Sequence, residues 1–245
     1  MGTGLRNRIV SYFIAGIFLS VTVLTIPACG GKPQGEAEEE KAPRDRDKAK
    51  DIAALENEGW TLYFKGNYRG AIDAFDEAIK LDPKYSRAFR GRGWAYLQER
   101  LYEEAIDNFN KALEYTSPLE YEDRTIMQET LRGRGWAYYQ KGNYDGAIED
   151  LGRAIDYTDS RDKGTLQDLF RRRGWTYYRK GSYDSALQDF NAAIEKIESS
   201  VSMGPSDKAA LQDAYRGRGS AYYKKGSLKE AKEDFEVAGV SAPQE

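Results

Sequence analysis

The chain has 245 residues, 40% hydrophobic and 31% charged, and a net charge of −3. It has no histidine, which excludes imidazole chemistry, and its one cysteine, Cys29, excludes an internal disulfide or a multi-cysteine metal centre. The acidic balance argues against a general nucleic-acid binder. Low hydrophobicity at this length predicts an unfolded segment or a thin, high-surface fold. Acids abound but follow a helical repeat instead of converging, so no catalytic residue, metal or cofactor is expected, and no enzyme.

Residues 1–28 carry Arg6 and Arg8, no acid, and an apolar run from Ile9 to Ala28. A basic start before an apolar run reads as a secretory signal peptide. The run is also long enough to span a bilayer as an uncleaved helix. It ends in Ile26-Pro27-Ala28-Cys29-Gly30, which resembles the bacterial lipobox. The resemblance implies cleavage before Cys29, lipidation of its sulfur, and a lipid-anchored protein of the bacterial cell envelope. Gly30, in place of the aspartate tied to inner-membrane retention, favours the outer membrane facing the periplasm. Residues 29–50 hold no large apolar side chain and are expected to form a disordered tether.

From residue 51 to 243 the sequence repeats. Gly59-Trp60, Gly93-Trp94, Gly135-Trp136, Gly174-Trp175 and Gly219-Ser220 head the copies. Each is followed by a turn, Lys65-Gly66-Asn67, Lys141-Gly142-Asn143, Lys180-Gly181-Ser182 or Lys225-Gly226-Ser227, with Arg100 replacing the glycine in the second copy. Then come Ala71, Phe75, Ala78 and their counterparts (Ala105, Phe109, Ala112; Ala147, Leu151, Ala154; Ala186, Phe190, Ala193; Ala231, Phe235, Ala238), all at offsets of 4 and 3 on one helical stripe. Each unit therefore reads as a helix, a tight turn and a second helix.

This pattern is similar to the tetratricopeptide repeat. The resemblance implies an all-α solenoid of five helix-turn-helix repeats (about 52–85, 86–117, 118–159, 162–199 and 206–243) coiled into a right-handed superhelix with a concave groove. Leading glycines lie 34, 42, 39 and 45 residues apart, so copies three to five carry insertions. Ser117-Pro118-Leu119-Glu120 reads as a capping box. Longer first helices are therefore expected in those copies, forming a raised wall, with a loop at Ser199–Gly204 as the alternative. In the last copy Lys232 and Gly239 replace the apolar residues Ile72 and Ile79 of the first, an outer face expected to close the stack.

The family's groove positions map onto Arg90, Trp94 and Leu97; Arg132, Trp136 and Tyr139; Arg171, Trp175 and Tyr178; and Arg216, Ser220 and Tyr223. The first copy offers Glu56, Trp60 and Tyr63. Two readings stay open. The guanidinium groups line a groove that takes an acidic or carboxyl-terminal protein segment, or else they pair with Glu129, Asp168 and Asp213, three residues before three of them, or lie on tryptophans four residues on. A second arginine series (Arg92, Arg134, Arg173, Arg218) is expected to bridge to Asp150, Asp189 and Asp234 within repeats three to five, a structural role. The functional expectation is a membrane-anchored scaffold binding another protein. An acidic-polysaccharide-binding module is the alternative, and no nucleic acid is expected.

Overall fold

The computed structural model describes residues 41–117, 121–200 and 203–241, with side chains from 46 and, after the first gap, from 123. The lipobox and Cys29, and residues 118–120 of the expected capping box, lie outside them. Among the described residues the order is α1 (Lys41–Phe64), α2 (Tyr68–Leu81), α3 (Ser86–Gln98), α4 (Tyr102–Glu114), α5 (Tyr121–Gln140), α6 (Tyr144–Tyr157), α7 (Lys163–Lys180), α8 (Tyr183–Glu198), α9 (Pro205–Lys225) and α10 (Leu228–Ala238). From α2 onward each helix packs on the next, and first helices also touch across repeats, α3 on α5 and α7 on α9. This is the helix-pair solenoid the repeats predicted.

The turns follow from backbone chemistry. Gly66, Gly142, Gly181 and Gly226 adopt φ of 79°, 78°, 86° and 82°, the left-handed region that glycine enters without penalty. Arg100 holds the same conformation at φ 62°, against its side chain. Asn67 and Asn143 start their helices by accepting from the Gly70 and Gly146 amides at 3.1 Å.

Packing between repeats is a ring-into-glycine arrangement. Phe75 is fully buried between Gly59 of its own repeat and Gly91 of the next; a Cβ at either would stand 2.6 or 2.3 Å from the ring. Phe109 sits likewise between Gly93 and Gly133, and Phe190 between Gly174 and Gly217. The third repeat departs from this: Leu151 replaces the ring, and Arg172 replaces the facing glycine of the fourth repeat. A smaller core residue and a larger neighbour thus occur together.

The expected second arginine series is present. Arg134, Arg173 and Arg218 hold Asp150, Asp189 and Asp234 through paired hydrogen bonds of 2.7–2.8 Å. In the second repeat Arg92 donates to Asn108 at 2.8 Å. The remaining arm crosses to the preceding repeat: Arg92 to Asp76, Arg134 to Asn110 and Arg218 to Asn191. Arg92, Arg134 and Arg218 therefore tie two repeats together as well as their own helices. Burial works against the Arg134 charge, but the hydrogen bonds and field of Asp150 outweigh it and hold the guanidinium above its usual range.

A third series runs along the turns. Lys141 pairs with Glu103 at 2.8 Å, Lys180 with Asp145 at 2.5 Å, and Lys225 with Asp184, each lysine reaching the acid of the preceding repeat. At the first junction both signs are reversed: Glu99 occupies the lysine position and Arg69 the acid position, 3.9 Å apart.

The expected wall exists: α5, α7 and α9 have 20, 18 and 21 residues against 13 in α3. One expectation needs correction. Residues 41–50, assigned to an unstructured tether, form the first turns of α1. Composition rules out burial but not helicity: residues 46–50 are exposed, and Lys50 pairs with Asp47 one turn away at 3.3 Å. In the last repeat Lys232 is exposed, and Gly239, at φ 70°, caps α10.

Candidate functional site

The four tryptophans lie half-buried on successive first helices. Trp60, Trp94 and Trp175 meet Phe75, Phe109 and Phe190 edge-on at 5.5, 5.8 and 5.4 Å between ring centres. In the third repeat Leu151 stands where the others carry the ring, and Trp136 stacks flat on Tyr139 at 5.1 Å and 8°. Arg179 in turn covers Tyr139 and Tyr144 at 5.7 and 5.8 Å. Tyr178 packs edge-on to Trp175 at 5.6 Å.

Each indole carries a guanidinium, but from the next repeat, not from its own helix. Arg90 lies over Trp60, Arg132 over Trp94 and Arg216 over Trp175, at 5.4–5.5 Å. At the third junction the residue over Trp136 is Arg172, at 5.4 Å, and not Arg171, which holds the position equivalent to Arg90, Arg132 and Arg216. Sequence reasoning missed Arg172, although its signal was present: it interrupts the Arg-Gly-Arg-Gly string by standing where glycine stands elsewhere. Its side chain takes over the indole and leaves Arg171 to bind Asp168 at 2.8 Å and Asp213 at 2.7 Å.

The carboxylates decide between the two readings of the ladder. Glu129 pairs backward with Arg90 instead of along its own helix with Arg132. Asp213 accepts from Arg171 at 2.7 Å, from the Trp175 indole at 3.0 Å and from Arg216 at 2.5 Å. Burial would push the Asp213 carboxyl up, but these donors hold it below the usual range. Arg90, Arg171 and Arg216 are thus self-paired. Arg132 has no carboxylate partner among the described residues; its buried Nε, like those of Arg90 and Arg171, has no hydrogen-bond acceptor.

Arg132 borders a cleft of about 320 Å³ lined by Trp60, Tyr63, Phe64, Arg90, Trp94 and Glu129. Phe64, at 80% exposure, stacks on Trp60 and was not foreseen. The structure therefore divides the expected groove. Arg132 and Trp94 converge with the aromatic group of the first repeat, while Trp136 with Tyr139, and Trp175 with Tyr178, form separate aromatic steps. Tyr223 is half-buried on α9, and Leu97 belongs to the core. Glu56 accepts from the Tyr85 hydroxyl; burial, then this acid, raises the phenol's pKa.

Among the described residues no group of acids could hold a metal ion. What the site offers is an aromatic wall and, at Arg132, a cation without a carboxylate partner among the described residues, on a stack of helix pairs: the surface of a helical repeat scaffold for protein–protein interaction. The tetratricopeptide repeat family matches residues 57–118 and 132–201, more than half the chain, and the protein belongs to that family. Human tetratricopeptide repeat protein 6 is 37% identical over 67 residues, which cover 27% of this chain and 13% of that protein. Among solved structures, MamA is similar at 25% identity and a TM-score of 0.60, covering 78% of this chain and 91% of MamA. YrrB, described as a TPR protein with an unusual peptide-binding site, has 23% identity and a TM-score of 0.60, over 81% and 89% of the two chains. PilF of Pseudomonas aeruginosa shares the fold at 16% identity and a TM-score of 0.61, over 81% and 80%.

Proposed function

We propose that this protein is a lipid-anchored scaffold of the bacterial cell envelope, tethered through Cys29 to the outer membrane, whose cleft captures an extended segment of a partner protein. The observation that carries the capture is Arg132: a partly buried guanidinium on Trp94, without a carboxylate partner among the described residues, beside an aromatic-lined cleft. A partner carboxylate there satisfies the charge, and an apolar side chain beside it covers the exposed Phe64 ring. The peptide-binding site of YrrB, on the same fold, supports this use. The anchor rests on the lipobox resemblance at residues 26–30.

The test is titration of the tryptophan fluorescence with peptides that pair a carboxylate with a leucine or phenylalanine, and in parallel with acidic oligosaccharides. Arg132→Ala is expected to weaken peptide binding by ~2 kcal/mol or more, about 30-fold. Raising salt should weaken it further. Unchanged peptide affinity in Arg132→Ala refutes the cleft, and a response to oligosaccharides alone replaces the protein partner with a sugar polymer. Fatty-acid labelling that persists in Cys29→Ala refutes the anchor.

A further inference from the structure

Helices α5, α7 and α9 build the wall, and the wall has a gap. Between α7 and α9 it is closed: Gln167 reaches Asp207 at 3.5 Å. Gln128 on α5 occupies the same repeat position as Gln167, two residues after Ile126 as Gln167 is two after Thr165. Counting back as Asp207 stands to Asp213, its counterpart on α7 is Asp162. That carboxylate is used otherwise: it caps α7, accepting from the Thr165 amide at 3.0 Å. The cause is length. The fourth repeat carries the shortest of the three insertions, so α7 starts too late to reach across.

The result is a cavity of about 820 Å³ at this junction, lined by Arg124, Thr125, Gln128, Tyr157 and residues 158–162. Gln128 is 7% exposed, lines this cavity, and its amide nitrogen has no acceptor among the described residues. Buried amide donors in native proteins are satisfied, so this one points to an acceptor that completes it. The other groups narrow the chemistry. Both acids of the lining are already engaged, Asp159 by Arg161 at 2.7 Å and Asp162 as the cap. Arg161 holds Asp159 down at about 2, so it stays charged and disfavours a compact group that brings two negative charges into the notch at once. The Arg124 guanidinium, exposed and lying on Tyr157 at 5.9 Å, and the Thr125 hydroxyl beside it are donors. A lining whose donors are Gln128, Arg124 and Thr125, with its own acids already engaged, suits a single carboxylate.

We propose that this gap is a second binding site, separate from the Arg132 cleft, that takes an acidic side chain of a bound protein segment on Gln128 and Arg124. This rests on the scaffold function but not on the cleft. Five of the nine lining residues, Arg124, Thr125, Ser160, Arg161 and Asp162, are exposed, so the cavity is an open notch. A small free ligand would keep much of its surface in water there, whereas a side chain delivered on an already docked chain gains from its high local concentration.

The test follows the Gln128 side-chain amide signal in ¹⁵N-labelled protein during titration with an end-capped hexaglutamate peptide, free glutamate, and an oligouronate. Hexaglutamate is expected to shift that signal, and Gln128→Leu or Arg124→Gln to weaken binding at least tenfold. Arg132→Ala is expected to leave the hexaglutamate concentration that half-shifts the Gln128 signal within twofold, whatever it does to binding at the cleft, which separates failure of this site from failure of the cleft. Arg124 is on the surface, so its variant folds regardless of the effect at Gln128. A silent Gln128 signal in all three titrations overturns the site. A shift with the oligouronate alone, or with free glutamate as strongly as with the peptide, overturns its assignment to a protein side chain. So does unaltered hexaglutamate binding in both variants.

Discussion

The third junction offers a direct test of how the repeats are fitted together. Elsewhere a phenylalanine faces a glycine so closely that one added carbon would stand 2.3–2.5 Å from the ring, at Gly91, Gly133 and Gly217. If Leu151 and Arg172 are a compensated replacement of that pair, neither can be reverted alone. Leu151→Phe sends a ring toward a position that bears an arginine, an overpacking cost of ~1–3 kcal/mol. Arg172→Gly costs ~1 kcal/mol in helix propensity and ~0.5–1 kcal/mol from the lost contact over Trp136. The double variant restores the packing of the other junctions, so its cost should fall below the sum of the singles by ~1–2 kcal/mol. Urea unfolding of the full chain, followed by tryptophan fluorescence and far-ultraviolet dichroism together, measures the four corners of the cycle. Additivity within ~0.4 kcal/mol would refute the claim that the two positions share one packing solution.

Three further outcomes are expected. Arg100→Gly should stabilise the protein by ~0.5–1 kcal/mol in the same unfolding assay, because the φ of 62° strains an arginine and suits glycine. Arg134→Met should cost ~3 kcal/mol or more by stranding the Asp150 carboxylate, which is 2% exposed, while adding Asp150→Leu should recover most of that loss. The Asp213 carboxyl titrates below its unfolded value, so its contribution is fully present above about pH 4 and is lost as pH falls through the lower folded value. Asp213→Asn should therefore flatten the acid limb of a stability profile measured between about pH 5 and 2.5; an unaltered slope would contradict the three-donor arrangement.

The sequence showed the fold because the repeat is written in small residues. Gly59, Gly91 and Gly93 have a single use, close passage of a ring, and alanine at offsets of 4 and 3 marks one helix face. It also showed Arg134–Asp150 and its counterparts, since both partners vanish together in the first repeat, where Glu58 and Ala74 stand. The cleft was harder to read. Side chains at these positions reach across the repeat boundary, so Arg90 serves Trp60 and Glu129 serves Arg90, pairs 30 and 39 residues apart, while neighbour rules along one helix pointed to Trp94 and Arg132. Arg172 and Phe64 are exceptions to their own series, and averaging over repeats hides exceptions. Residues 41–50 misled in another way: a composition that buries nothing still permits an exposed helix.

The reversed polarity of the first turn pair makes the order of the repeats matter. Excising the second repeat would set Lys141 against Arg69, and duplicating the first would bring Lys65 up to Arg69, two cations where a bond is needed. Among the later repeats the same cut always matches a lysine with an acid. By charge the amino-terminal unit is thus keyed to one neighbour, whereas loss of the third repeat would still match Lys180 with Glu103 but would set Phe109 against Arg172.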